Sequence, residues 1–146
     1  MHPGGVPVRL FQRMIRWLWL FVMGVSVLAA SSHAMLRVDD LRCEHEGDPR
    51  GIGETQPRLS WKLRSDAPGA MQTAFAIRAA SVPGMLEHGA ADLWDSGKIA
   101  SDASVLVPWA GRPLASRDEV FWQVRVWDRE DQPSAWSEVA SFELGL

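Results

Sequence analysis

The residues whose type could do chemistry are a set of carboxylates, Asp92, Asp95, Asp102, Asp118, Asp128, Glu130 and Asp131. Two of them acting as general acid and base could cleave a glycosidic bond, but inversion needs the pair on opposite sides of one bond, roughly 6.5 to 9.5 Å apart, with one pKa raised. All of these acids fall in turns or at strand ends, where acidic side chains serve backbone N–H groups and tolerate turn geometry. They do not make a self-contained active site. Beyond residue 34 the histidines are His45 and His88, in separate loops, and no serine lies in a nucleophile elbow. Cys43 is the single cysteine, with no second Cys or His pair to complete a ligand set, so it reads as a small buried hydrophobe. The residues therefore give no catalytic group, no cofactor site and no metal site.

The tryptophans are the other candidates. Trp61 and Trp122 share phase with Leu and Val neighbours and belong to the core. Trp94, Trp109 and Trp127 could offer flat faces to sugar rings or to a neighbouring domain. Trp127 also shares a strand face with Arg125, and Trp136 lies close enough in a hairpin to join them. These three predict a structural Arg–Trp ladder of the cation–π kind.

Stepping the chain in twos shows what must position these groups. From Val120 to Asp128 apolar and polar residues alternate, which predicts a long central strand; the turn formers Asp128 to Ser134 follow, and WSEVASFEL resumes the period of two. This is a hairpin, and its apolar face needs a further sheet to cover it. Leu36 to Cys43 predicts an edge strand whose phase changes at Asp39-Asp40, the sign of a bulge. Arg58 to Arg64 alternates with Leu59, Trp61 and Leu63 inward, and Met71 to Ala80 does so with Thr73, Phe75, Ile77 and Ala79 on one face. Leu93 to Ile99 and Ser104 to Trp109 predict two shorter strands. Glu46 to Pro57, with three glycines and two prolines, predicts a loop; its Gly51-Ile52-Gly53 has no strand before it or helix after it, so it is no phosphate cradle. Val82 to Ala91 predicts a loop with a helical turn near Met85 to His88. The sum is an all-β sandwich of about seven strands, of the fibronectin type III or immunoglobulin kind.

Residues 1–34 read as a secretory signal peptide. Arg9, Arg13 and Arg16 precede the apolar run Trp17 to Ala30, and Ser32-His33-Ala34 places cleavage after Ala34. The domain is then residues 35–146, secreted or periplasmic. Losing three of 15 basic side chains leaves 12 against 18 acidic ones, a net charge of −6. That acidity excludes nucleic acid and, once the signal is removed, membrane partners, since both need clustered Lys and Arg.

Four stretches together resemble the N-terminal fibronectin type III-like domain of bacterial α-L-rhamnosidases: LRCE at Leu41 to Glu44, QPRLSWKL at Gln56 to Leu63, ADLWDSGKIASDASVLVPWAGRPLASR at Ala91 to Arg117, and the hairpin VFWQVRVWDREDQPSAWSE. One departure is Asp48-Pro49-Arg50-Gly51-Ile52, where the family more often shows Asn-Pro-Leu-Gly-Ile. The resemblance implies an accessory module beside a catalytic domain that hydrolyses terminal α-L-rhamnose with inversion. Rhamnose-containing glycans are then candidate ligands. The family's catalytic acids lie in a helical toroid far downstream, and no position up to Leu146 matches them. A stand-alone carbohydrate-binding module and a protein-binding or adhesion module are the alternatives.

Overall fold

A computed structural model describes residues 35–146, so the signal reading of residues 1–34 lies outside the described part. Eight strands and one short helix are present among the described residues: β1 Arg37–Cys43, β2 Arg50–Ile52, β3 Arg58–Arg64, β4 Ala74–Ala80, α1 Pro83–Glu87, β5 Trp94–Asp95, β6 Val107–Pro108, β7 Glu119–Trp127 and β8 Ala140–Leu144. They form two sheets, ordered β1-β3-β6 and β2-β8-β7-β4-β5. All ladders are antiparallel except β2 on β8, which is parallel.

Period-two alternation decides the faces. In β7, Val120, Trp122, Val124 and Val126 are all at 0% exposure, and across the ladder they meet Phe75, Ile77 and Ala79 of β4 and Phe142 of β8. Leu59 and Trp61 of β3 close the core from the other sheet, and Trp61 meets Phe75 edge to face at 5.2 Å. The Trp61 indole N–H donates to the buried Gln72 side chain at 3.1 Å, whose amide donates in turn to the carbonyls of Ser101 and Ala103. That chain of bonds satisfies the polar edge of an otherwise apolar contact. The expected phase change in β1 is real: its register on β3 shifts between Asp39 and Arg42, and Asp40 has φ 47°.

Four expectations change. The Glu46 to Pro57 segment is not all loop, because Arg50–Ile52 adds a parallel strand to the edge of β8. The strand expected over Leu93 to Ile99 is confined to Trp94–Asp95; beyond it Ser96 bonds β4 with its hydroxyl, which accepts from the Ile77 N–H at 2.8 Å. Ser104 to Trp109 forms a ladder only at Val107–Pro108, with Pro108 as the last strand residue, at an edge where no N–H is required. The second hairpin arm forms a regular ladder only from Ala140. The predicted helical turn is there as α1, with Pro83 in its first turn and Leu86 buried.

Gly111 carries the tightest close approach. A Cβ there would stand 2.6 Å from Trp94 Cβ, 2.7 Å from the Leu93 carbonyl oxygen and 2.7 Å from Trp109 Cζ2. Backbone and core indoles cannot all give way, so Gly111→Ala should cost about 1–3 kcal/mol in urea unfolding. Gly53→Ala, with nothing within 4 Å, should stay within about 0.5 kcal/mol of the parent.

Candidate functional site

The five-stranded sheet turns Phe121, Gln123, Arg125 and Trp127 of β7 away from the core. Opposite them in register stand Ala80, Arg78, Ala76 and Ala74 of β4. The three alanines are buried although they are on the outer face. Their small side chains leave room for what lies above: α1 packs on β4 and β7 at one end, and the Trp136 ring lies across the middle. The ring centroid is 4.7 Å from Arg78 Cζ and 4.9 Å from Arg125 Cζ.

The path of the chain explains how Trp136 gets there. Ser134 and Ser137 both bond β7, and a repeat of three belongs to a polyproline-type ribbon, not to a pleated strand. Their hydroxyls accept from the Val126 and Val124 N–H groups at 3.1 and 3.0 Å. Their own N–H groups donate back to the same residues' carbonyls at 2.8 Å. Trp136 sits between the two serines and folds over the guanidinium groups. The Nε atoms of Arg78 and Arg125 are buried without a hydrogen-bond acceptor; the indole π face lies against both guanidinium groups, and Arg78 Nε also faces the Asp95 carboxylate at 3.6 Å.

The predicted ladder of Arg125, Trp127 and Trp136 is therefore corrected in membership. It runs Arg78, Trp136, Arg125, while Trp127 stands apart with the Lys98 ammonium 5.0 Å from its centroid, itself paired with Asp131. The reason is the three-residue repeat, which carries Trp136 past Trp127 toward Arg78. Trp94 and Trp109 do not offer flat faces either. They are buried at 9% and 3% exposure, packed edge to face at 5.0 Å, and Trp109 continues onto Phe142 at 5.9 Å. Of the expected contact residues only Trp127 stays half-exposed.

Five of the seven candidate acids are engaged by the fold, Asp131 through Lys98, whereas Asp102 and Glu130 make no side-chain hydrogen bond or ion pair among the described residues. Asp92 accepts from the Ser81 N–H and hydroxyl at 2.8 and 2.6 Å, Asp118 from the Ala115 N–H at 2.7 Å, Asp95 from the Gly97 N–H, and buried Asp128 from the N–H groups of Glu130 and Gln132. The Ser81 hydroxyl holds the Asp92 carboxyl below the usual range. Arg58 does the same to Glu44, which accepts from its backbone N–H and guanidinium. The Asp40 N–H and then Arg64 lower Asp39, and Lys62 and then Arg42 lower Asp40. A general acid needs a shift in the other direction. Burial pushes the Cys43 thiol up to about 12, which makes it inert. His45 lies in a left-handed turn at φ 72°, and the exposed His88 donates from Nδ1 to the Gly84 carbonyl at 2.8 Å. Among the described residues no three His, Cys, Asp or Glu side chains gather as a cation site.

This geometry is that of a self-satisfied module, and comparison gives it a family. Residues 38–146 match the family model of Rha78A-like N-terminal immunoglobulin domains. The chain belongs to this family. It is 48% identical over 111 residues to an α-L-rhamnosidase of Streptomyces avermitilis, covering 76% of this chain and 11% of that protein. A second α-L-rhamnosidase, from Formosa agariphila, is 38% identical over 138 residues, 93% of this chain and 15% of the relative. The crystal structure of the Streptomyces avermitilis α-L-rhamnosidase complexed with L-rhamnose superposes with a TM-score of 0.73 over 76% of this chain and 11% of that one. The α-L-rhamnosidase structure from Dictyoglomus thermophilum does so with a TM-score of 0.72 at 37% identity, over 75% and 12%. The chain thus spans only 11 to 15% of the length of the curated relatives it matches. It matches their N-terminal immunoglobulin-like domain alone, and the relatives' catalytic domain lies outside that match.

Two measurements check the site. Trp136→Ala removes both guanidinium contacts and should lower unfolding free energy by about 1–2 kcal/mol, with a changed near-ultraviolet indole spectrum. Arg125→Ala should lose about half as much; an unchanged melting temperature and spectrum would remove the stack as a structural element. Glu44 and Asp92 have folded pKa values below their unfolded ones, so their contribution is present above the unfolded values and lost as pH falls through the folded ones. Melting temperature should therefore fall between about pH 5 and pH 2, and Glu44→Gln should flatten that limb while lowering the neutral-pH value.

Proposed function

We propose that this domain is an exported, non-catalytic accessory module that packs against the catalytic domain of an α-L-rhamnosidase-type protein and supports it. The observation that carries the reading is the match of residues 38–146 to the N-terminal domains of α-L-rhamnosidases, joined to the capping bonds and ion pair that hold Asp92, Asp95, Asp118, Asp128 and Asp131. Substrate, in this reading, belongs to the neighbouring domain: a terminal α-L-rhamnoside hydrolysed by groups outside this fold. Export rests on the three arginines, the apolar run and the Ser32-His33-Ala34 site; a secreted product whose mass begins at Met35 is expected.

The test replaces the N-terminal domain of the Streptomyces avermitilis α-L-rhamnosidase with this whole chain. Deleting that domain should leave an enzyme that loses aryl α-L-rhamnoside hydrolysis on warming, and the replacement should restore its resistance. The chain alone should show no turnover and no change in tryptophan fluorescence with rhamnose or rhamnose-containing oligosaccharides. A replacement no better than the deletion would sink the accessory reading. Saturable quenching of the chain alone would instead make it a carbohydrate-binding module built on Trp127, and turnover would make it an enzyme.

A further inference from the structure

The last residues of β8 are held more closely than the end of a strand requires. The Glu143 N–H donates to the Pro49 carbonyl at 3.0 Å, the Leu144 N–H to Asp118 at 3.0 Å and the Gly145 N–H to Ile52 at 2.8 Å, while the Arg117 N–H donates to the carbonyls of Leu144 and Gly145 at 3.2 Å each. Two segments supply these partners from opposite sides: the strap Asp48 to Gly53, which includes β2, and the turn Ala115 to Asp118.

Both segments are bent into place at a conformational cost. Glu44, His45 and Asp48 ahead of β2 have φ of 49°, 72° and 47°, and Arg117 has 67°, a region unfavourable to residues with a Cβ. Each is tied down locally. Glu44 grips Arg58, and the Asp48 carboxylate accepts from the Ser141 N–H at 2.7 Å. Gly51, at φ 76°, faces Gly145 so closely that a Cβ on Gly145 would lie 3.0 Å from the Gly51 carbonyl oxygen. Strain of this kind persists only where the surroundings over-determine it. An ordinary linker is polar, loosely held and makes few contacts; here order runs through Gly145.

We propose that this end of the sandwich, formed by the strap, the Ala115–Asp118 turn and Gly145, is the seat on which the neighbouring domain of an α-L-rhamnosidase-type protein is mounted in one orientation. The proposal rests on the accessory reading above. The occupant follows from the comparisons: the matched family is an N-terminal domain that spans 11 to 15% of the relatives, so in them the remaining polypeptide departs from this end. A seat that clamps three consecutive residues sets the direction of departure, and the exposed Arg50 and Arg117 flank it.

The experiment uses Gly145→Ala, Asp48→Ala and Asp48→Asn in the whole chain and in the replaced Streptomyces avermitilis enzyme. In the chain, Gly145→Ala and Asp48→Ala should raise amide exchange at Leu144 and Gly145 about 5- to 30-fold, the effect of one or two lost hydrogen bonds, with β7 amides unchanged. Asp48→Asn, which keeps the acceptor and tolerates the left-handed region, should behave as the parent. In the enzyme, the two disruptive variants should shorten the half-life of rhamnoside hydrolysis on warming by a similar factor, although each domain remains folded by its own β7 protection. Parent-like half-lives with raised exchange would overturn the seat while leaving the accessory role standing. A parent chain that fails to restore the enzyme would overturn both. If Gly145→Ala exposes the β7 amides, the Asp48 pair decides the matter, since that side chain lies outside the core.

Discussion

Strand β7 is buried on its core face along its whole length, so each of its backbone N–H and C=O groups needs a protein partner. On one edge β4 supplies them without interruption, from Ala74 opposite Trp127 to Ala80 opposite Phe121. On the other edge β8 covers only Glu119 to Trp122. The remainder is answered by Ser134 and Ser137, whose hydroxyls stand where ladder carbonyls would be. The rest of the outer surface follows from that substitution. Because serines bond β7 at a spacing of three, Trp136 is thrown across the sheet, the Nε atoms of two arginines are buried beneath it, and alanine becomes the side chain that fits opposite Arg125.

How much of this was legible depends on whether the signal was local. The bounds of β3 and the core phase of β7 follow from alternation alone, because each strand has one face against the core and a period of two is then compulsory. The Asp39-Asp40 phase change was equally local. The parallel strand β2 was not: three residues flanked by Pro49 and Gly53 carry no period, and their partner lies some ninety residues away. The same holds for the shortening of the Leu93 to Ile99 strand, where the Ser96 hydroxyl takes over the pairing with Ile77. Serine is counted as a loop former in sequence, yet here it extends a sheet through its side chain.

The site was legible in kind but not in membership. Arginine and tryptophan on one face of a strand do announce cation–π stacking, and Arg125 with Trp136 is in place. Arg78 was missed because its strand precedes β7 by forty residues, and its proximity depends on the β4 to β7 register. A Ser-x-Trp-Ser string beside an alternating strand is the signal that would have shifted Trp136 away from Trp127. Trp94 and Trp109 failed as exposed faces for another reason. Both lie next to turns in sequence, but Gly111 lets the Trp109 to Arg112 turn close onto Leu93, and that contact folds both indoles inward.

The outer face of the smaller sheet shows what the bulge in β1 accomplishes. In a regular strand Asp39 and Asp40 would point to opposite faces. With Asp40 in a left-handed conformation both carboxylates reach the outward cations of β3: Asp39 meets Arg64, and Asp40 meets Lys62 at 2.6 Å as well as Arg42 of its own strand at 3.0 Å. Exposed pairs of this sort add little to stability. Their effect is on association: an edge strand that is kinked and carries paired charges is a poor template for another chain. The larger sheet closes its own outer face differently, with an indole and a helix. At one end of the sandwich the strap joins the β1 to β3 connection of one sheet to the last strand of the other.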